Sequence, residues 1–314
     1  MYDLIIIGGG PAGISAGIYA ARKKIKTLIL TKDFIGQVGK TSEVDNYPGF
    51  PGISGIDLIK KFEKHLRKFE IEISLGEVIK VNRNGENFLI KVKGGKEFLA
   101  KTIIIATGRD PRPLEVPGEK EFIGRGVSYC STCDGPFFKD KAVAIIGGGN
   151  SGFEAVLDLI PYAKRIFVFE QSDKIMADEI LRERVKKESK IQIHLNKKIK
   201  KIEGDGKVQD MIYQDTKTSK TFQVPIDGIF IEIGSIPATG FLKGVVDPHT
   251  KFGVGVKFNK NDEIKVDLET CSTSCPGIFA AGDVNNGKWK QIVIAAGEGS
   301  RAALAVYEYL QKNN

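Results

Sequence analysis

Histidine and tryptophan are nearly missing from this chain and cysteine is sparse: 3, 1 and 4 residues in 314. His65, His194 and His249 are scattered, with neither metal-ligand spacing nor a nucleophile pattern beside them, and no role is assigned to them. Four cysteines are too few to scaffold a chain of this length. They fall as Cys130-x-x-Cys133 and Cys271-x-x-x-Cys275, far apart and without a histidine knuckle, so no metal is expected. No apolar run approaches the roughly 20 residues that cross a bilayer. The chain opens Met1-Tyr-Asp-Leu-Ile-Ile-Ile without a basic leader and cleavage site, and a cytoplasmic protein is expected. Charge of one sign is lacking too. The 47 basic and 39 acidic residues leave a net charge of +8, but lysines alternate with acids, as in Lys60-Lys-Phe-Glu-Lys64. That reads as a solvated surface rather than a nucleic-acid site, and it favours at most the approach of an acidic protein partner.

What is abundant is glycine, 36 residues, much of it clustered. Asp3-Leu-Ile-Ile-Ile-Gly8-Gly-Gly10-Pro11-Ala12-Gly13 reads as a buried strand, a tight turn and a helix to about Arg22, followed by a strand over 27–30. Ala142-Val-Ala-Ile-Ile-Gly147-Gly-Gly149-Asn150-Ser151-Gly152 repeats that grammar, with a helix to about Leu159 and a strand over 165–169. Two such units predict two βαβ nucleotide-binding domains. In each, the first glycine permits the turn, the second lets a pyrophosphate approach the backbone, and the third lets helix and strand pack closely. After the first unit no acid ends the second strand cleanly, since Leu30-Thr31-Lys32 stands there and Asp33 comes late. After the second, Glu170 ends the strand near the expected spacing of about 20 residues, suited to accept ribose hydroxyls and to repel a 2′-phosphate. No arginine cluster follows, so NADH is expected over NADPH.

Asp110-Pro-Arg-Pro-Leu-Glu-Val-Pro117-Gly118 is expected to be a linker that continues neither strand nor helix, and Gly244–Pro248 a second break. A helical pattern runs from about Ile292 to Leu310 and could pack on either domain. Cys130-Ser-Thr-Cys133-Asp134, lying between the linker and the second glycine turn, reads as a redox pair, with Asp134 placed to exchange a proton with a departing thiolate. Cys271 and Cys275 read as small core residues.

Together these residues resemble the low-molecular-weight thioredoxin reductases over essentially the whole chain. The resemblance rests on Gly8-Gly-Gly-Pro-Ala-Gly13, Asn46-Tyr-Pro-Gly49, Ala106-Thr107-Gly108, Cys130-Ser-Thr-Cys-Asp-Gly135, Gly147-Gly-Gly-Asn-Ser-Gly152 and Gly277-Ile-Phe-Ala-Ala-Gly282-Asp283. It implies an α/β fold of two Rossmann-like domains, with a nicotinamide domain (114–246) inserted into a discontinuous FAD domain (1–113 and 247–314). It implies FAD at Gly8, Gly10, Gly13, Gln37, Asn46, Asp283 and Gln291, with Pro11, Ala12, Ala106–Gly108, Gly282 and Ile292 around them. The nicotinamide nucleotide would lie at Gly147, Gly149–Gly152, Glu154, Glu170 and Gly234. It also implies a homodimer, Cys133 facing the flavin and Cys130 attacking a carrier's disulfide. The inserted domain is expected to rotate about 111–117 and 244–248 so that each centre meets the flavin in turn. At Glu170-Gln-Ser172 and Met176 the arginine clamp of NADPH-using members is missing, and the stretch from Cys133 to Glu170 is more similar to the flavoprotein subunit of alkyl hydroperoxide reductase. The thioredoxin-like modules of that subunit are not seen, so a separate thioredoxin- or glutaredoxin-like carrier is expected. A ferredoxin-dependent flavin thioredoxin reductase and an NADH oxidase or peroxiredoxin-system reductase are the rival enzyme readings, and a nucleotide sensor with idle cysteines is the non-enzymatic one.

Overall fold

The structure, a computed structural model, describes residues 1–41, 44–242 and 255–313. The expected break at Gly244–Pro248 and the domain border at 246/247 lie outside these residues, as does His249. In chain order the first part contains β1 (Tyr2–Ile7), α1 (Pro11–Arg22), β2 (Thr27–Thr31), α2 (Gly55–Leu66), β3 (Glu72–Leu75), β4 (Val78–Asn84), β5 (Asn87–Val92), β6 (Glu97–Ile105) and β7 (Arg109–Pro111). Next come β8 (Val127–Ser128), α3 (Ser131–Asp134), β9 (Ala142–Ile146), α4 (Asn150–Leu159), β10 (Arg165–Phe169), α5 (Glu179–Lys186) and β11 (Ile191–His194). They are followed by β12 (Lys197–Gly204), β13 (Val208–Asp215), β14 (Thr221–Pro225), β15 (Gly228–Ile231), β16 (Ser235–Pro237), β17 (Ile278–Ala280) and α6 (Ile292–Lys312). The chain divides into two compact units, Met1–Asp110 with Ile236–Asn314, and Pro111–Ser235.

The first unit is built on a sheet of order β3-β2-β1-β6-β5-β4, with β17 also paired to β6. β1 runs parallel to both β2 and β6. β6 divides one edge between two partners: residues 97–100 pair antiparallel with β5, and Ile103–Ile105 pair parallel with Ile278–Ala280 of β17. Strands covered on both faces are near-continuous aliphatic runs, and this is what Leu4-Ile-Ile-Ile7 and Ile103-Ile-Ile105 are. Leu4 and Ile6 face α1 and α6 with Ala16, Ala20, Ala302, Ala303 and Val306, while Ile5 and Ile7 face the opposite cluster with Phe88, Val81 and Ile264. The small residues of α1 let α6 come so close that a side chain at Gly299 would lie 2.0 Å from the Ala12 carbonyl oxygen. The final helix therefore packs on the first unit, a choice that periodicity alone leaves open.

The second unit repeats the plan. Its parallel sheet has the order β11-β10-β9-β15-β8, and β12, β13 and β14 form a separate antiparallel sheet. Val143, Ile145, Val168 and Phe230 face α4 through Phe153, Val156 and Leu159, while Ala144, Ile146 and Ile229 face Ile199, Ile202 and Met211. The proline-rich run is not wholly irregular: Arg109–Pro111 is extended and pairs with β16 in a two-stranded sheet. Pro111 is tolerated there because it closes a strand with a free edge, where its missing N–H is not needed.

Candidate active site

Each glycine turn follows the central strand of its unit and opens a helix, at the C-terminal ends of strands where the order reverses, β1 between β2 and β6, β9 between β10 and β15. Gly8 (φ +117°) and Gly147 (φ +123°) are in a backbone region closed to other residues, and a side chain there would strike the carbonyl oxygens of Ala106 and Glu232, both at 2.2 Å. A side chain at Gly13 would lie 1.9 Å from the Gly8 oxygen, and one at Gly152 lies 2.0 Å from the Gly147 oxygen. The fold itself thus requires the first and third glycines. A side chain begun at Gly10 or Gly149 would meet nothing within 4 Å, and their backbones (φ −75° and −89°) suit any residue. Nothing among the described residues explains a glycine at either place, whereas close approach of a pyrophosphate to the backbone does.

The surroundings of the two turns differ. At the end of β10, the carboxylate of Glu170 accepts N–H bonds from Gly148 on Oε2 and from Ser172 on Oε1, both 2.7 Å. It is fixed against the turn, beside a cavity of about 520 Å³ that Gly147, Gln171, Lys198 and Lys200 also line. At the end of β2 the matching place is taken by the Thr31 hydroxyl, which donates to the Asp33 carbonyl, while the Asp33 side chain accepts from Gly36 N–H at 3.0 Å. The late acid noted in the sequence therefore caps a turn.

Among the other expected flavin residues, Asn46 Nδ2 donates to Gln291 Oε1 (3.0 Å), joining a loop to the start of α6, where Ile292 is the first helical residue. Gln37 donates to the Arg109 carbonyl and the Thr107 hydroxyl to the Ala238 carbonyl. Pro11 is the first residue of α1, Ala12 is buried, and Gly108 and Gly282 have positive φ. Gly282 N–H donates to Glu298, a buried acid of α6 that also accepts from Asn285. Burial raises the Asp283 carboxyl above its ordinary range, against the pull of Lys290 and Arg109, and Glu298 adds to the rise. In the second unit, Asn150 exchanges hydrogen bonds with Asp178. Ser151 is exposed and Gly234 takes a positive φ. Glu154 keeps an accessible surface but is raised, first by lost hydration and then by Asp158 and Asp178.

Cys130 and Cys133 form a disulfide, with Cα atoms 5.3 Å apart. Cys130 is buried and Cys133 exposed. Cys130 is the extended residue before the one-turn helix α3, and Cys133 N–H points at its sulfur from 3.2 Å. α3 is moored to α4 by Asp158 Oδ2, which accepts from the hydroxyls of Ser131 and Thr132, both at 2.8 Å. Asp134 Oδ2 accepts from Ser128 Oγ at 2.6 Å, and that hydroxyl accepts Cys130 N–H at 3.0 Å. Sequence reading missed Ser128 and Asp158, which carry no motif and matter only because β8 and α4 bring them to the cysteines. Next to Cys130, Tyr129 donates to the buried carboxylate of Glu119, which also accepts the N–H groups of Leu114 and Glu115; burial and then this carboxylate raise the phenol. Cys271 and Cys275 are buried core residues, and burial pushes the Cys271 thiol up to about 11.

The chain matches the family model described as pyridine nucleotide-disulphide oxidoreductase over residues 2–299. A subunit of the alkyl hydroperoxide reductase of Pseudomonas putida is 39% identical over 98% of this chain, and the match spans 58% of that relative. The chain thus covers little more than half the length of the curated relatives it matches. Among solved structures, a thioredoxin reductase of Lactococcus lactis in its FR conformation superposes with a TM-score of 0.89 at 36% identity, covering 99% of this chain and 100% of that one. The thioredoxin reductase of T. acidophilum gives 0.85 at 38% identity, with 98% of each chain covered.

Proposed function

Because this chain belongs to the pyridine nucleotide-disulphide oxidoreductase family, we propose that it is a thioredoxin reductase-type flavoenzyme carrying electrons from NADH to the Cys130–Cys133 disulfide and on to a dithiol protein. The observation that carries the reading is a Cys-x-x-Cys disulfide moored to the helix of a dinucleotide turn whose middle glycine is left open. FAD, when bound, supplies the two-electron relay between nicotinamide and disulfide. Gly8, Gly10 and Gly13 would hold its pyrophosphate, with Gln37, the Asn46–Gln291 pair, Asp283 and Ile292 around the rest. Gly147, Gly149 and Gly152 would hold that of the nicotinamide nucleotide.

Glu170 supports NADH as the donor. Its two oxygens are held toward the turn by backbone N–H groups, which leaves lone pairs for ribose hydroxyls and sets a negative charge against a 2′-phosphate. Two electrons arriving at the disulfide break the S–S bond; one sulfur departs as a thiolate and takes a proton, for which Asp134 is the nearby acid. The carrier is a thioredoxin- or glutaredoxin-like protein, and the solved thioredoxin reductases favour the former. The relative named as part of an alkyl hydroperoxide reductase favours a second reading, in which the same dithiol chemistry serves a peroxide-reducing system.

Anaerobic mixing of the yellow protein with NADH, NADPH or reduced ferredoxin tests the donor. NADH is expected to bleach the flavin at least tenfold faster than NADPH, and Glu170→Ala to narrow that gap. Bleaching by ferredoxin alone would sink the nicotinamide reading.

A further inference from the structure

Asp134 is held by a residue to which neither motif nor spacing points. Ser128 ends β8 with only 4% of its surface exposed. Its hydroxyl has a single proton and two acceptors in reach, Asp134 Oδ2 at 2.6 Å and the Cys130 carbonyl at 3.3 Å; the shorter contact, to a carboxylate, takes it. The same oxygen accepts Cys130 N–H at 3.0 Å. One buried hydroxyl therefore ties the backbone of the first cysteine to the acid that follows the second. The mooring of α3 is already provided by Asp158 through Ser131 and Thr132, so the Ser128–Asp134 contact is not needed to anchor that helix.

We propose that Ser128 is a positioning residue for proton transfer at the disulfide: by occupying Oδ2 of Asp134 it leaves Oδ1 to exchange the proton with sulfur. This role rests on the disulfide-reductase reading given above. In the reduced enzyme Asp134 holds the proton of the Cys130 thiol. The Cys130 thiolate attacks one sulfur of the carrier's disulfide, and an enzyme–carrier disulfide forms. The other carrier sulfur leaves with the electron pair of the broken bond and takes the proton from Asp134. Cys133 then gives its own proton to Asp134 and attacks the Cys130 sulfur, closing the Cys130–Cys133 bond. The second carrier sulfur leaves with its electron pair and takes that proton. Two electrons and two protons pass from enzyme dithiol to carrier dithiol, and Asp134, which entered the exchange carrying the Cys130 proton, ends it as a carboxylate.

A leaving group that needs no proton should be indifferent to this arrangement, and that separates positioning from a merely structural hydroxyl. The holoenzyme and its Ser128→Ala and Ser128→Thr variants would be driven by NADH with two oxidants. One is a thioredoxin, whose alkyl thiolates require protonation; the other is dithiobis(nitrobenzoate), whose aryl thiolate departs unprotonated. Flavin content and thermal midpoint report folding. The ratio of thioredoxin to aryl-disulfide turnover is expected to fall about tenfold in Ser128→Ala, and Ser128→Thr, which keeps the hydroxyl, to restore it to within about twofold. Equal losses with both oxidants, no loss with either, or failure of threonine to restore the ratio would overturn the proposal. A wild-type enzyme that reduces neither oxidant removes the reductase reading itself, and this role with it, before any variant is compared.

Discussion

Gly149 and Gly152 stand three residues apart in one turn, yet they answer to different demands. A side chain on Gly152 would lie 2.0 Å from the Gly147 carbonyl oxygen, so Gly152→Ala must push helix from strand and should cost more than about 2 kcal/mol. A side chain begun at Gly149 would meet nothing within 4 Å. Gly149→Ala is therefore expected to melt within a few degrees of wild type, while NADH binding weakens at least tenfold. Thermal melts paired with NADH titration separate the two effects, and a Gly149→Ala protein that binds NADH normally would remove the pyrophosphate from this turn. Residues of this kind are legible in sequence because their chemistry is local. The glycines, Glu170 and the cysteine pair announce themselves by type and spacing, whereas Ser128 and Asp158 are polar residues among many until strand and helix deliver them.

Elements were legible where burial on both faces leaves a continuous aliphatic run or where small residues repeat at helical spacing. β1, β2, β9, β10 and α6 begin within a residue of where the pattern places them. Short pairings were not: nothing in Arg109-Asp-Pro111 announces a strand, since its partner lies more than a hundred residues on. A pairing of that range also joins a charge cluster in the first unit, where Glu263 meets the distant Arg109 at 3.0 Å and the nearer Lys290 at 3.3 Å. Burial opposes the Glu263 charge, but a hydrogen bond from Asn259 together with Lys290 and Arg109 outweighs it and holds the carboxyl below its ordinary range. A lowered carboxyl contributes stability that is present above its unfolded value and is lost as pH falls through the folded one. The melting temperature is thus expected to lose a component below about pH 4 that Glu263→Gln lacks. Parallel pH–melting curves for wild type and variant would dismiss the cluster as a source of acid sensitivity.

At the scale of the molecule, a net charge of +8 spread over an alternating surface has a kinetic rather than a structural meaning. If the proposed carrier is acidic, it would be drawn in over a distance that salt shortens, from about 10 Å at 0.1 M to about 3 Å at 1 M. Turnover at limiting acidic thioredoxin should therefore fall several-fold across that range, while bleaching by saturating NADH holds nearly constant. Equal salt sensitivity of the two steps would place the effect elsewhere. The division of β6 between β5 and β17 has a further consequence, for the order in which the protein can be made. When the ribosome has finished residues 97–105, the antiparallel half of that edge already has its partner, but the parallel half waits for Ile278–Ala280, which follow the whole of the second unit. A growing chain therefore carries an open edge of the Ile103-Ile-Ile105 strand through the synthesis of an entire Rossmann unit. Such an edge is a template for wrong pairing. Chains halted before residue 278 should need a chaperone that finished chains do not.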